Sequence, residues 1–161
     1  MIRDAIEADL SAIVEIYNSA VPHRTITADL EPITVESRLA WFHAHSSDHC
    51  PLWVVDDHGT IAGWLGFQTF YGRPAYHATA EISFYIAPAY RRQGIGKKLV
   101  QHAIDVSPML GISTLLGIVY AQNHPSIQLL KQFEFDQWGF LPQVAQAENI
   151  RLDVVILGRK V

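Results

Sequence analysis

The chain has 161 residues, 49% hydrophobic and 17% charged, with a formal charge of −4 at neutral pH. These proportions suit one folded domain over residues 1–161 and exclude a disordered chain, and the acidic balance argues against bulk nucleic-acid binding. No apolar run approaches a membrane span, Met1–Glu7 lacks the basic-then-apolar layout of a signal peptide, and the lone Cys50 allows no internal disulfide; together these favour the cytoplasm.

Residues 1–5 read as a short strand. Leu10, Ile13, Val14, Tyr17 and Val21 then recur at helical spacing, with Asp9 as the N-cap and Pro22 closing the helix. A polar loop covers 22–33. A second helix runs from about Val35 to His45, with Val35, Leu39 and Phe42 facing inward. Leu52–Val55 and Ile61–Phe70 are strands flanking the turn Asp56-Asp57-His58-Gly59. A third strand covers about 77–87, and a helix carrying Ile95, Leu99, Ala103 and Val106 on one face ends near Val106. Thr114–Tyr120 is almost continuously apolar, the pattern of a strand buried on both faces. A helix over Asn123–Phe133 and two strands, about 136–145 and 150–159, complete the order. A helical crossover between the strands at 77–87 and 114–120 implies a parallel pair in a mixed α/β sheet.

The most informative stretch is the junction at Phe84–Lys98. Four of the chain's 12 Lys and Arg (Arg91, Arg92, Lys97, Lys98) fall where a helix begins. Free N–H groups and the helix dipole favour anions there. A dinucleotide fingerprint would need a third glycine where Leu99 stands, and a Walker A loop would need glycine at Arg91 and Ser or Thr at Lys98. What remains is Arg-x-x-Gly-x-Gly after a strand, in which Gly94 and Gly96 let backbone approach a diphosphate.

This motif resembles the acetyl-CoA signature of the GNAT N-acetyltransferases, and the element order resembles that family over nearly the whole chain. The resemblance implies the GNAT fold: about seven strands and four helices, with the central parallel strands splayed around the pantetheine arm of acetyl-CoA. Thr27-Ala28-Asp29-Leu30-Glu31-Pro32, Arg73-x-Ala75-Tyr76, Glu81-x-Ser83-x-Tyr85-Ile86 and Leu152-Asp153-Val154-Val155 are similar to phosphinothricin acetyltransferases and their amino-acid-acetylating relatives. On that basis Arg91, Arg92, Gln93, Gly94, Ile95, Gly96 and Lys97 are expected at the pyrophosphate. The backbones of Phe84, Tyr85 and Ile86 are expected at the pantetheine, and Asn123 and Ser126 form the second cofactor motif. A homodimer and a small amine or amino-acid acceptor are implied too.

Acetyl transfer requires removal of a proton from the amine and stabilisation of an oxyanion. Thr79, Glu81, Ser83 and Tyr85 share one strand face. Glu81, a carboxylate inside a strand, is the candidate base, and by resemblance it occupies the catalytic glutamate's position. The alternative is a structural ion pair, with Arg73 as one possible partner. Asn123 can cap the following helix, donate to pantetheine, or both. Arg73, Tyr76 and Thr25 are substrate candidates, since an Arg fork suits a carboxylate; His23 and Arg24 are weaker ones.

Two positions depart from the pattern. Leu130 stands where the family has Tyr or His, and Glu134 where it has Gly before Phe. The thiolate must then leave unaided, or take a proton from water or another group such as Tyr120. His43, His45, His49 and Cys50 lack the paired spacing of a zinc site, so no metal is expected. Two other readings stay open: acetylation of a protein N-terminus or lysine, and a non-catalytic acyl-CoA sensor.

Overall fold

The computed structural model describes residues 1–161. Strands β1 (Ile2–Asp4), β2 (Leu52–Asp57), β3 (Thr60–Thr69), β4 (Thr79–Ile86), β5 (Thr114–Tyr120), β6 (Asp136–Ala147) and β7 (Ile150–Lys160) join helices α1 (Leu10–Asn18), α2 (Val35–His43), α3 (Ile95–Val106) and α4 (His124–Gln132). The strands make one sheet in the order β1-β2-β3-β4-β5-β7-β6. Every neighbouring pair is antiparallel except β4–β5, as the helical crossover requires. This is the mixed α/β architecture that the sequence implies.

Two apolar layers sandwich the sheet, and strand alternation divides them. Trp53 and Val55 face the α3 side, whereas Leu52 and Val54 face α1 and α2. On β4, Ala80 and Ile82 face α3, while Glu81, Ser83 and Tyr85 lie opposite. Ile95, Leu99 and Ala103, spaced four apart, are buried along α3; a fully buried Leu such as Leu99 contributes about 1.5–3 kcal/mol. His58 and Gly59 have φ of 50° and 89° and close the β2–β3 hairpin, the conformation that favours a tight two-residue turn.

The parallel pair is short. Thr79, Ala80 and Glu81 align with Thr114, Leu115 and Leu116. Beyond that point β4 remains paired with β3 as far as Ile86, and β5 with β7 as far as Tyr120. The two strands therefore diverge, and one edge of β4 has no strand partner after Glu81.

Three local expectations change. Asp9 precedes α1 but does not cap it; its carboxylate accepts from the Ile6 N–H at 2.9 Å and from Arg3. The chain makes a short 3-10 turn over Glu7–Asp9 first, and the nearby guanidinium holds the carboxylate there. Helix α1 ends at Asn18, and Pro22 lies within a separate 3-10 turn over Val21–His23. Finally, β5 is buried only through Gly117; Ile118 is 39% exposed. The rest of β5 lines the gap, and its apolar side chains form a cavity wall rather than core.

Candidate active site

The β4–α3 junction forms the anion cradle. Gly94, at φ 81°, precedes α3, and Arg92 also takes a left-handed conformation at φ 61°. This tight turn sets the start of α3, where the first N–H groups have no partner within the helix, on the wall of a cavity of about 540 Å³. Arg91, Arg92, Gly94, Ile95, Gly96 and Lys97 line one side, and Asn123, Pro125 and Ser126 the other. Phe84, Tyr85 and Ile86 form its inner end. Gln93 differs: its amide turns back to the Ala89 carbonyl at 2.8 Å and braces the loop, and it does not line the cavity. Asn123 Oδ1 accepts from the Ser126 N–H at 3.3 Å, which caps α4 and leaves the amide nitrogen free to donate.

A second cavity, of about 380 Å³, lies on the other side of the gap. Glu81, Ser83 and Tyr85 project into it from β4, and Ile118–Tyr120 from β5. Helices α1 and α2 supply Ile13, Tyr17, Arg38 and Trp41. A small space of about 50 Å³, bounded by Ser83, Gly117, Asn123, Ser126 and Leu130, lies between the two cavities. Ile26 and Tyr85 border all three spaces. The result is a passage through the sheet, open where β4 leaves β5.

Glu81 forms no hydrogen bond or ion pair, and burial pushes its carboxyl above the usual range. The proposed structural partner, Arg73, is an exposed residue before a 3-10 turn over Pro74–Tyr76. Burial likewise raises the Tyr85 and Tyr120 hydroxyls. Tyr17 is raised most, by burial first and then by its hydrogen bond to Asp29. Its hydroxyl also meets Thr27.

The candidate acceptor residues are not brought together within one chain. Thr25 Oγ1 donates to the His23 carbonyl at 3.2 Å, and its successors Ile26, Thr27 and Ala28 line the cavity instead. Tyr76 is 42% exposed and packs with Phe70 and Tyr71 on an outer loop, beside the exposed Arg73. His43 faces Glu7, His49 faces Asp48, His45 is held by the Trp41 carbonyl, and the Cys50 thiol donates to the Phe67 carbonyl. These four side chains do not converge.

Sequence reasoning missed Arg38, Thr27 and the wall formed by Trp41 and Trp64. Arg38 had a signal: it falls at helical spacing between the inward residues Val35 and Phe42. Thr27 falls in the Thr27–Pro32 stretch that resembles the amino-acid-acetylating relatives, a signal of family but not of which side chain lines the cavity. Loop 22–34 is drawn over the cavity by long-range bonds, in which the Asn18 amide donates to the Ile33 carbonyl at 2.8 Å and accepts from its N–H at 2.9 Å.

Residues 10–135 match the acetyltransferase (GNAT) family. The chain is 44% identical to YwnH of Bacillus subtilis, whose assignment as a phosphinothricin acetyltransferase is itself provisional, over 99% of this chain and 98% of that one. It is 31% identical to the L-methionine sulfoximine/L-methionine sulfone acetyltransferase of Salmonella typhimurium, over 97% of this chain and 91% of the relative. The structure of yncA from Salmonella typhimurium with acetyl-CoA superposes with a TM-score of 0.92 at 30% identity, covering 99% of this chain and 92% of that one. The chain belongs to the acetyltransferase (GNAT) family.

Proposed function

We propose that the protein is an acetyl-CoA-dependent N-acetyltransferase whose acceptor is a small amino acid or analogue of the methionine sulfone, methionine sulfoximine or phosphinothricin type. The observation that supports this reading is the end of β4–β5 pairing at Glu81, a carboxylate on the wall of an acceptor-sized cavity that meets the phosphate-suited cradle at Ile26 and Tyr85.

The residues present suit the donor. Gly94 and Gly96 keep the cradle open, three basic side chains line it, and the unpaired β4 edge offers N–H and C=O groups to an extended, amide-bearing arm. Acetyl-CoA supplies an acetyl thioester. Glu81 takes a proton from the acceptor ammonium, directly or through water, so that the amine can attack. Its raised affinity for a proton suits a base working closer to neutrality than an ordinary carboxylate. N–H groups on the free β4 edge are the donors available to negative charge developing on the carbonyl oxygen. Leu130 contributes no proton, so the thiolate leaves as such or is protonated by water.

The same reading takes the chain as one domain acting in the cytoplasm as a homodimer. Pairing would cover the exposed Tyr71 and Tyr76. Thiol release from acetyl-CoA, measured across amino acids and across peptides, tests the function. Turnover with amino acids and none with peptides is expected. Preference for peptides would favour protein acetylation, and donor binding without turnover would favour a sensor.

A further inference from the structure

We infer that Arg38 is the receptor for the acceptor's α-carboxylate; this rests on the amino-acid reading above and extends it to a residue. The acceptor cavity has one cation on its wall, Arg38, and one anion, Glu81. They come from different layers, Arg38 from α2 and Glu81 from the sheet. A cavity that carries one charge of each sign and is otherwise mostly apolar complements a zwitterion, with the ammonium end toward Glu81 and the carboxylate toward Arg38.

The guanidinium is held for this task. Its Cζ lies 5.2 Å from the centre of the Tyr17 ring and 5.6 Å from that of Trp41, a pair of cation–π contacts. Nη2 donates to Asp29 Oδ2 at 3.2 Å, and Asp29 also accepts from the Tyr17 hydroxyl. That is Arg38's one hydrogen bond, so Nε and Nη1 are free to donate to a carboxylate. The aromatic series Trp41, Trp64 and Tyr85, with ring centres 5.7 Å and 4.8 Å apart, runs from Arg38 to β4. It provides an uncharged surface for the acceptor's side chain. Arg73, the sequence's choice for this role, lies on the outer loop instead.

The test compares L-methionine sulfone with its carboxamide as acceptors for wild type, Arg38→Gln and Arg38→Lys. A lost charge-assisted hydrogen bond should raise KM for the acid about 10–100-fold in Arg38→Gln, with KM for the carboxamide and the affinity for acetyl-CoA unchanged. Arg38→Lys should recover part of the loss. It also serves if the Gln variant fails to fold, because a purely structural role would affect acid and carboxamide alike. Equal losses for acid and carboxamide, or a wild type indifferent to the carboxylate, would overturn the assignment. If wild type acetylates amino acids and Arg38→Gln does so with unchanged KM, the amino-acid reading stands and Arg38 loses its role. If wild type acetylates none of them, both fall.

Discussion

Glu81 on β4 and Leu116 on β5 are the last residues at which the two parallel strands remain in register. The strand pairing thus ends at the residue that carries the carboxylate. Burial at this junction costs the ionised form solvation, and no neighbouring cation compensates. A carboxylate kept in that setting disfavours folding at neutral pH, which is consistent with a group retained for chemistry rather than stability.

Replacing Glu81 by Gln should therefore separate activity from stability. Turnover is expected to fall about 10²–10⁴-fold, the usual contribution of a positioned base. For the wild type, kcat/KM should rise with pH through the raised carboxyl value, and the variant should lack that limb. The stability effect has the opposite sense. Below the ordinary carboxylate range both the folded and unfolded chains hold the proton. Above it the unfolded chain releases the proton before the folded one, so this group's contribution to stability declines as pH rises through the raised value. Glu81→Gln removes that loss, and its melting temperature at pH 7 should equal or exceed that of wild type. Near-normal turnover in the variant would reject Glu81 as the base.

Donor binding should depend on the left-handed turn at Gly94. A Cβ there would meet no atom within 4 Å, so the cost of Gly94→Ala is conformational rather than steric. At φ 81° that cost is about 1–2 kcal/mol, and any relaxation would rotate the first N–H groups of α3 away from the diphosphate. A higher KM for acetyl-CoA with an unchanged acceptor KM is expected in steady-state kinetics. Because Arg91, Arg92 and Lys97 are solvent-exposed, the same KM should rise with ionic strength. A KM that is unaffected by both changes would count against the cradle.

What could be read from the sequence followed local periodicity. Alternation along 79–86 placed Glu81, Ser83 and Tyr85 on one face, and the four-residue spacing from Ile95 defined the buried face of α3. The glycine turn was readable because its chemistry is contiguous. The acceptor cavity was not, because residues from α1, loop 22–34, α2, β3 and β5 meet only after folding. Asp9 illustrates the limit: its partner Arg3 lies six residues away on another element, and that contact displaced the cap its residue type suggested. The second half of β5 shows the same thing, since an apolar run reads alike whether it meets core or cavity.

Leu130 gives a prediction about departure from the family pattern. It is fully buried, and a Cβ placed on Gly117 would lie 2.7 Å from its Cδ1. The leucine fills the space that β5 leaves open beneath the passage. Leu130→Ala should cost about 2–5 kcal/mol of stability, with turnover per folded molecule little changed. Leu130→Tyr should also destabilise, by about 1–3 kcal/mol, through overpacking. Denaturant unfolding with parallel kinetics on each variant checks both. An accelerated Leu130→Tyr enzyme would show instead that the leaving thiolate limits turnover and that an acid at this position relieves it.

Cys50 should be a poor nucleophile in the native protein. Its thiol is half-buried, donates to the Phe67 carbonyl, and is pushed above its ordinary pKa by burial. The reactive thiolate is therefore scarce at pH 7–8. Alkylation by iodoacetamide should be slower in the folded chain than in urea by about tenfold or more, with acetyl-CoA having little effect because Cys50 lines neither cavity. Mass spectrometry of timed reactions would measure this directly. Equal rates in the two states would mean that the Ser46–Cys50 segment opens readily, breaking the paired backbone hydrogen bonds of 3.1 Å that close it. Slow alkylation would also make free CoA the dominant thiol signal in the acceptor assays, so that colour development reports acetyl transfer rather than the protein's own cysteine.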